Sequence, residues 1–153
     1  MLYQTRKPIT LVHIFRLAEA LRARIVLVGR TIAIDDEVVL NEFFPRWRVV
    51  NWVVCPNELS LMKLIRRAKL RPIAIEVSRI AVPYYLCELQ NNDVPAFIVG
   101  SEDNGIPDSL LKCVSPHIYI PMAGKATCLS AGMALAIVAT HFAYVANSAV
   151  TLN

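Results

Sequence analysis

The chain has little with which to build a metal centre or a disulfide framework. Its four cysteines (Cys55, Cys87, Cys113, Cys128) are dispersed with no close pair, and its three histidines (His13, His117, His141) stand isolated. Zinc sites and disulfide scaffolds need clustered ligands. Reduced thiols in a cytoplasmic protein are therefore expected, with structural or surface roles for the histidines. Met1 to Lys7 is polar and lacks the apolar core of a signal peptide. No internal repeat, low-complexity tract or linker divides the 153 residues. One domain over residues 1–153 is expected, large enough for a full core.

What the chain does have is apolar residues, at 56% with a mean hydropathy of +0.46. Such an excess has three usual meanings: a membrane segment, a mostly parallel sheet buried on both faces, or a large apolar subunit interface. The longest apolar stretch, Leu129 to Ala146, contains Ser130, Gly132, Thr140 and His141, and no Lys or Arg cluster flanks it. It reads as a core or interface helix rather than a membrane span. The net charge of +4 and pI near 9.0 are a mild basic excess, compatible with a phosphate-rich partner but not diagnostic of one.

Short apolar runs alternate with amphipathic ones, the pattern of an α/β fold. Residues 2–5 read as a first strand. Pro8 suits a helix start, with Thr10 as its N-cap, and Leu11, Ile14, Phe15, Ala18 and Leu21 follow at helical spacing. Ile25–Val28 and Val49–Val54 read as strands, and Val38–Phe43 as a short helix. Glu58–Lys69 reads as a helix with Leu61, Leu64, Ile65 and Ala68 inward and Lys63, Arg66, Arg67 and Lys69 on its other face. Pro72 then opens a strand over Ile73–Val77, and Tyr84–Leu89 is a helix or turn. Pro95–Val99 is a strand, Asp108–Lys112 a short helix, Ile118–Ile120 the last strand, and Thr127 to about Val145 the last helix.

Three segments carry chemistry. Gly100 follows a buried strand, where a missing side chain lets a ligand approach the backbone, and Gly105 allows the chain to double back. The turn between them holds Glu102 and Asp103 and no Lys, which argues against a phosphate-cradling P-loop. It suits a ligand with cationic or hydroxyl groups, or else it is a solvated turn. Farther on, Pro121 breaks a strand and Gly124 permits a tight loop. Backbone groups freed from the sheet there need partners. The edge of a planar heterocycle could supply them, between apolar walls from Ile120, Met122 and Leu129; the alternative is an ordinary strand-to-helix connection. Finally, Arg16 sits among apolar neighbours with Glu19 nearby. It is either half of a surface ion pair or a fork that grips a phosphate.

Taken in order, these segments resemble the SpoU (TrmH-like) branch of the SPOUT RNA methyltransferases, from Lys7 to about Tyr144. The family's first motif has an Asn, five residues and an Arg, then a Thr-Ala-Glu-Ala-like run. Thr10 to Arg16 has that spacing, and Leu17-Ala18-Glu19-Ala20 follows. The second, Gly-x-Glu-x-x-Gly, is present as Gly100, Glu102 and Gly105. The third, Ile-Pro-Met followed by a Ser-Leu-Asn-like triplet, is present as Ile120-Pro121-Met122 and Cys128-Leu129-Ser130.

The resemblance implies a SPOUT-type α/β knot: three layers, a mostly parallel sheet, and a C-terminal segment threaded through a loop as a deep trefoil. It implies S-adenosylmethionine bound bent within that knot, a homodimer joined through the first and last helices, and methyl transfer to a ribose 2′-hydroxyl of tRNA or rRNA in the cytoplasm. Carried over by position, Ile75, Gly100, Ile120 and Leu129 match cofactor-contacting residues, with Met122, Ser130 and the acid Glu102 beside them. Arg16 matches the catalytic residue. Arginine is a poor general base because its pKa exceeds about 12, so the preferred role for Arg16 is to grip the phosphate beside the target ribose and lower the hydroxyl's pKa. RNA contact is expected from Arg16 and from the basic face of Lys63, Arg66 and Arg67, since no separate RNA-binding domain is visible.

Two positions depart from the pattern: Thr10 and Ser130 stand where the family has Asn. Ser130 has a hydroxyl in place of an amide that both donates and accepts. These departures keep two rivals open. One is a catalytically impaired SPOUT-like protein that binds RNA or a partner; the other is a small-molecule-binding α/β protein.

Overall fold

Buried strands with two apolar faces set the architecture. The computed structural model describes residues 1–30 and 49–151, with side chains to Tyr144. Its elements are β1 (Leu2–Tyr3), α1 (Pro8–Ala20), β2 (Ile25–Val28), β3 (Trp52–Cys55), α2 (Glu58–Arg67), β4 (Arg71–Ile75), β5 (Val82–Pro83), a 3-10 turn (Tyr84–Leu86), β6 (Pro95–Ile98), α3 (Asp108–Leu111), β7 (His117–Tyr119) and α4 (Ala131–Thr151). The helix expected over Val38–Phe43 lies outside the described residues.

Two parallel sheets run in the orders β1–β2–β3 and β5–β7–β4–β6. A parallel bridge between Leu2 and Val99, with Tyr3 N–H donating to Val99 O at 3.0 Å, joins β1 to the end of β6. The result is one seven-strand parallel surface. Along β2, Ile25 and Leu27 enter one core while Val26 and Val28 enter another; Ile73 and Ile75 likewise face away from Ala74. That is the two-residue period of a pleated strand. Helices α1 and α4 supply the first core through Leu11, Phe15, Val138 and Phe142, and α2 and α3 supply the second through Leu61, Ile65 and Leu110. The three-layer, parallel α/β class expected from the sequence is the one observed.

Several boundaries moved, each for a local reason. Thr10 does not cap α1. Lys7 holds the extended cap position, Pro8 stands in the first turn, and Thr10 is buried one turn in. α2 stops at Arg67 because Lys69 takes φ +51°, and Leu70 N–H then donates to Ile65 O at 3.0 Å. That left-handed closure caps the helix. β4 begins at Arg71, ahead of Pro72. The N–H of Arg71 bonds to the β6 side, at Val94 O, while that of Ala74 bonds to the β7 side, at Pro116 O. Pro72 faces the β7 side before β7 begins, so no ladder bond is lost there. α4 begins at Ala131, four residues beyond the expected Thr127, because Ser130 serves as its cap: Met133 N–H donates to Ser130 Oγ at 3.3 Å.

Candidate functional site

The register of the sheet brings the sequence-predicted residues toward one edge. Ala74 pairs with Ile98 and Ile75 with Ile118. Ile75, Gly100 and Ile120 therefore lie at adjoining carboxyl ends of β4, β6 and β7, the edge at which open parallel sheets bind ligands. Ile75 and Gly100 are buried, and Ile120 is half-buried against the first core. Beyond Ile120 the chain is mostly exposed as far as Ser130, with Met122 and Leu129 half-buried.

The acidic turn is built rather than merely solvated. Ser101 N–H donates to Gly105 O at 3.1 Å and Gly105 N–H to Ser101 O at 3.0 Å. A Cβ on Gly100 would lie 1.9 Å from the Gly105 carbonyl carbon. Gly105 itself has φ +63°, and a Cβ there would lie 2.6 Å from Glu76 Oε2. Both glycines are thus required, one by close approach and one also by conformation.

Glu102 faces the start of α1. Arg6 N–H donates to its Oε2 at 3.0 Å, and Arg6 Nη1 reaches Asp103 at 3.4 Å. Burial alone would raise the Glu102 pKa; the Arg6 N–H, its own N–H, the Thr10 hydroxyl and the Lys7 N–H outweigh that and hold it below the usual value. A carboxylate at a helix N-terminus is stabilised by the unpaired N–H groups and the helix dipole. The Arg6 N–H thus ties the acid of the second motif to the residue just ahead of the α1 cap, and gives Glu102 an anchoring role there.

Glu76 escaped the sequence reading, while His117 takes the structural role expected of it. Glu76 accepts from Ile106 N–H at 3.2 Å and from Val77 N–H at 3.0 Å, tying the loop after β4 to the acidic turn. His117 is buried. Its Nε2 lies 3.1 Å from Leu111 O and 3.0 Å from Val114 O, and its Nδ1 lies 2.8 Å from Ser78 Oγ. Two carbonyl acceptors assign the proton to Nε2, so Ser78 donates to Nδ1. A carboxylate placed directly after the apolar run Ile73–Ile75 was the one signal that pointed to Glu76.

Arg16 is exposed on α1, in the layer of the first core. Lys63, Arg66 and Arg67 are exposed on α2, across the sheet. The structure does not bring these two basic groups together. Among the described residues no set of His, Cys, Asp and Glu is placed to hold a metal, and no helix is long and apolar enough to cross a membrane.

The model of the SpoU rRNA Methylase family matches residues 1–140. No curated protein matches the chain. Among solved structures, an AdoMet-bound rRNA methyltransferase from Sinorhizobium meliloti shares 25% identity at TM-score 0.81, covering 90% of this chain and 52% of its own. The SpoU methyltransferase AviRb from Streptomyces viridochromogenes shares 18% identity at TM-score 0.84, with 97% and 59% covered. A structure described for the 2-OH methylation of C/U34 on tRNA shares 21% identity at TM-score 0.83, with 97% and 94% covered. The chain spans about half the length of the first of these.

Proposed function

The chain belongs to the SpoU rRNA methylase family, and from that premise we propose that it transfers the methyl group of S-adenosylmethionine to a ribose 2′-hydroxyl of tRNA or rRNA. The observation that carries this reading is the meeting of Ile75, Gly100 and Ile120 at adjoining strand ends, beside a turn that anchors the helix bearing Arg16.

The residues present fit the cofactor. Among the described residues, the backbone from Pro121 to Leu129 makes no hydrogen bond of its own, so its N–H and C=O groups are free to meet an adenine edge. Thr5 Oγ1 is buried on the same edge without a hydrogen-bond partner. Ile75, Ile120, Met122 and Leu129 would wall the cofactor, Gly100 and Ser130 would border it, and Glu102 would anchor the turn beside it. When bound, S-adenosylmethionine supplies an electrophilic sulfonium methyl. Displacement at that methyl needs the hydroxyl held in line, so positioning dominates the rate. Arg16 grips the phosphate beside the target ribose, and its fixed charge favours the ionising hydroxyl.

Threading of the C-terminal segment is supported by the sheet order. β7 lies between β4 and β5, and Val82 sits level with Ile118, which is level with Ile75. Residues 76–81 therefore join two strands that flank β7. Homodimer formation is supported by solvent-exposed Met133, Ile137 and Tyr144 on α4, with Ile9 exposed on the adjoining α1. Four free thiols agree with a cytoplasmic site. Lys63, Arg66 and Arg67 remain proposed RNA contacts, reached by RNA that passes round the sheet edge. Ser130 favours the rival reading of an impaired enzyme, since its hydroxyl is already committed to capping α4.

Calorimetric titration with S-adenosylmethionine, followed by methyl incorporation into bulk tRNA and rRNA, tests the proposal. Binding with transfer that falls about 100-fold or more in Arg16→Ala is expected, by analogy with the loss of one charge-stabilising donor. Binding without transfer selects the impaired RNA-binding protein, and no heat of binding overturns the cofactor assignment.

A further inference from the structure

The carboxyl edge of the other half-sheet holds a cavity that the methyl-transfer site does not use. It measures about 260 Å³ and is lined by Tyr3 at the end of β1, Gln4 just after it, Gly29 after β2, and Pro56 to Leu59 leading into α2. We propose that this cavity is a subsite for one unstacked nucleobase carrying an exocyclic amino group. The proposal rests on the RNA-methyltransferase reading for its polymer, but its chemistry is read from the cavity alone.

The charge in the cavity decides the class of ligand. An unmodified helix N-terminus would favour a phosphate. Here Glu58 already sits in the first turn of α2, and Asn57 Oδ1 already takes the Ser60 N–H at 2.9 Å. Among the described residues no Lys or Arg lines the cavity. Phosphate is therefore disfavoured, and a group that donates hydrogen bonds is favoured.

The Glu58 carboxylate is fixed in place. Tyr3 Oη donates to its Oε1 at 3.0 Å and Ser109 Oγ to its Oε2 at 2.8 Å. Burial, followed by the Glu58 hydrogen bond and charge, raises the Tyr3 pKa, so the phenol stays a donor. Each carboxylate oxygen keeps a further acceptor position. Ser109 lies on α3, directly after the acidic turn, so the cavity adjoins the proposed reaction edge.

Gln4 supplies the second recognition group. It has φ +47°, an uncommon conformation for a residue with a side chain. Its side chain lies over Gly29, where a Cβ would come within 3.1 Å of Gln4 Cγ. Among the described residues its carboxamide has no hydrogen-bond partner. A free carboxamide beside a fixed carboxylate matches a base edge that offers both an amino donor and a ring acceptor. Leu59, 65% exposed, and Pro56 give the flat ring apolar contact.

The test uses the full chain and NMR titration with short single-stranded oligomers of cytidine, adenosine or uridine, and with the free nucleosides. Cytidine or adenosine oligomers are expected to shift the amides of Gln4, Gly29 and Leu59 more than uridine does. Free nucleosides doing the same at equal concentration would assign the site to small molecules instead of RNA, overturning the polymer part. Gln4→Gly suits the left-handed backbone, so the fold is kept while base binding drops about tenfold. Glu58→Gln replaces an acceptor by an amide and is expected to move preference toward uridine. Equal binding of all three oligomers, or variants that bind as the parent does, would sink the subsite. Methyl transfer measured on the same preparation separates the two claims: transfer with no base preference at the cavity refutes only the subsite, and base preference with no transfer refutes only the enzyme reading.

Discussion

The turn at residues 100–106 and the loop at residues 121–130 occupy adjoining strand ends and are built in opposite ways. The turn closes on itself through two backbone bonds, is tied to α1 through Glu102 and to the loop after β4 through Glu76, and has no room for a side chain at Gly100. The loop is mostly exposed, and its one described tether is the Ser130 cap on α4. One wall of the proposed site is thus formed before any ligand arrives, while the other has its backbone groups still to satisfy. A ligand meeting both would bear the ordering cost almost entirely on the loop side.

The largest effect expected from breaking this contrast is at Gly100. Gly100→Ala puts a methyl group into the Gly105 carbonyl, and a cost of at least about 3 kcal/mol is expected, with S-adenosylmethionine binding abolished. Thermal melting and calorimetry read both. A fully stable variant would mean that the turn is not closed as described.

Next is Glu102→Gln, which keeps the shape but removes the charge at the α1 terminus, at about 1 kcal/mol. The same carboxylate predicts a pH dependence. Its folded pKa is depressed, so its stabilisation is present above the ordinary value near 4.5 and is lost as pH falls below that through the depressed value. Denaturant melts from pH 6 to about 3 should show parent and variant converging at the acid end; parallel curves would refute the anchoring role.

On the loop side the effects are smaller. Ser130→Ala loses a cap and about 0.5–1 kcal/mol, whereas Ser130→Asn keeps a cap and restores the amide of the family motif. A severalfold gain in cofactor affinity in the Asn variant would sharpen the contrast, and no gain would place recognition wholly on the turn. Smallest of all is the triple replacement of Lys63, Arg66 and Arg67 by Ala. These exposed residues lie across the sheet from Arg16, so stability should change by less than about 0.5 kcal/mol. RNA affinity should fall modestly, with a shallower salt dependence. A collapse of affinity would mean that the α2 face carries most of the RNA binding.

The strands and helices were legible because their cause is local. The apolar runs at Ile25–Val28 and Ile73–Ile75 are buried on both faces, as a parallel sheet requires, and Pro95–Ile98 is buried on one face and half-buried on the other. The need for Gly100 and Gly105 was likewise legible in their spacing. The roles of Glu102 and Glu76, and the partner of His117, were not, because each depends on a residue far along the chain: Arg6, Ile106 and Ser78. Thr10 misled for the same reason. A residue of N-cap type sits next to a helix start, but the cap position falls to Lys7, and the nearby carboxylate that accepts from Arg6 N–H arrives from residue 102.

The amino-acid order by itself determined the class of fold, the family, and the three motif segments, since hydrophobic period and glycine placement act over a few residues. Tertiary structure alone decided which motif acids serve the chain itself, which basic groups share a face, and that the Glu58 carboxylate and the Gln4 carboxamide line one cavity. Those outcomes follow from strand register and layer assignment, and both are fixed by packing between segments that the sequence keeps far apart.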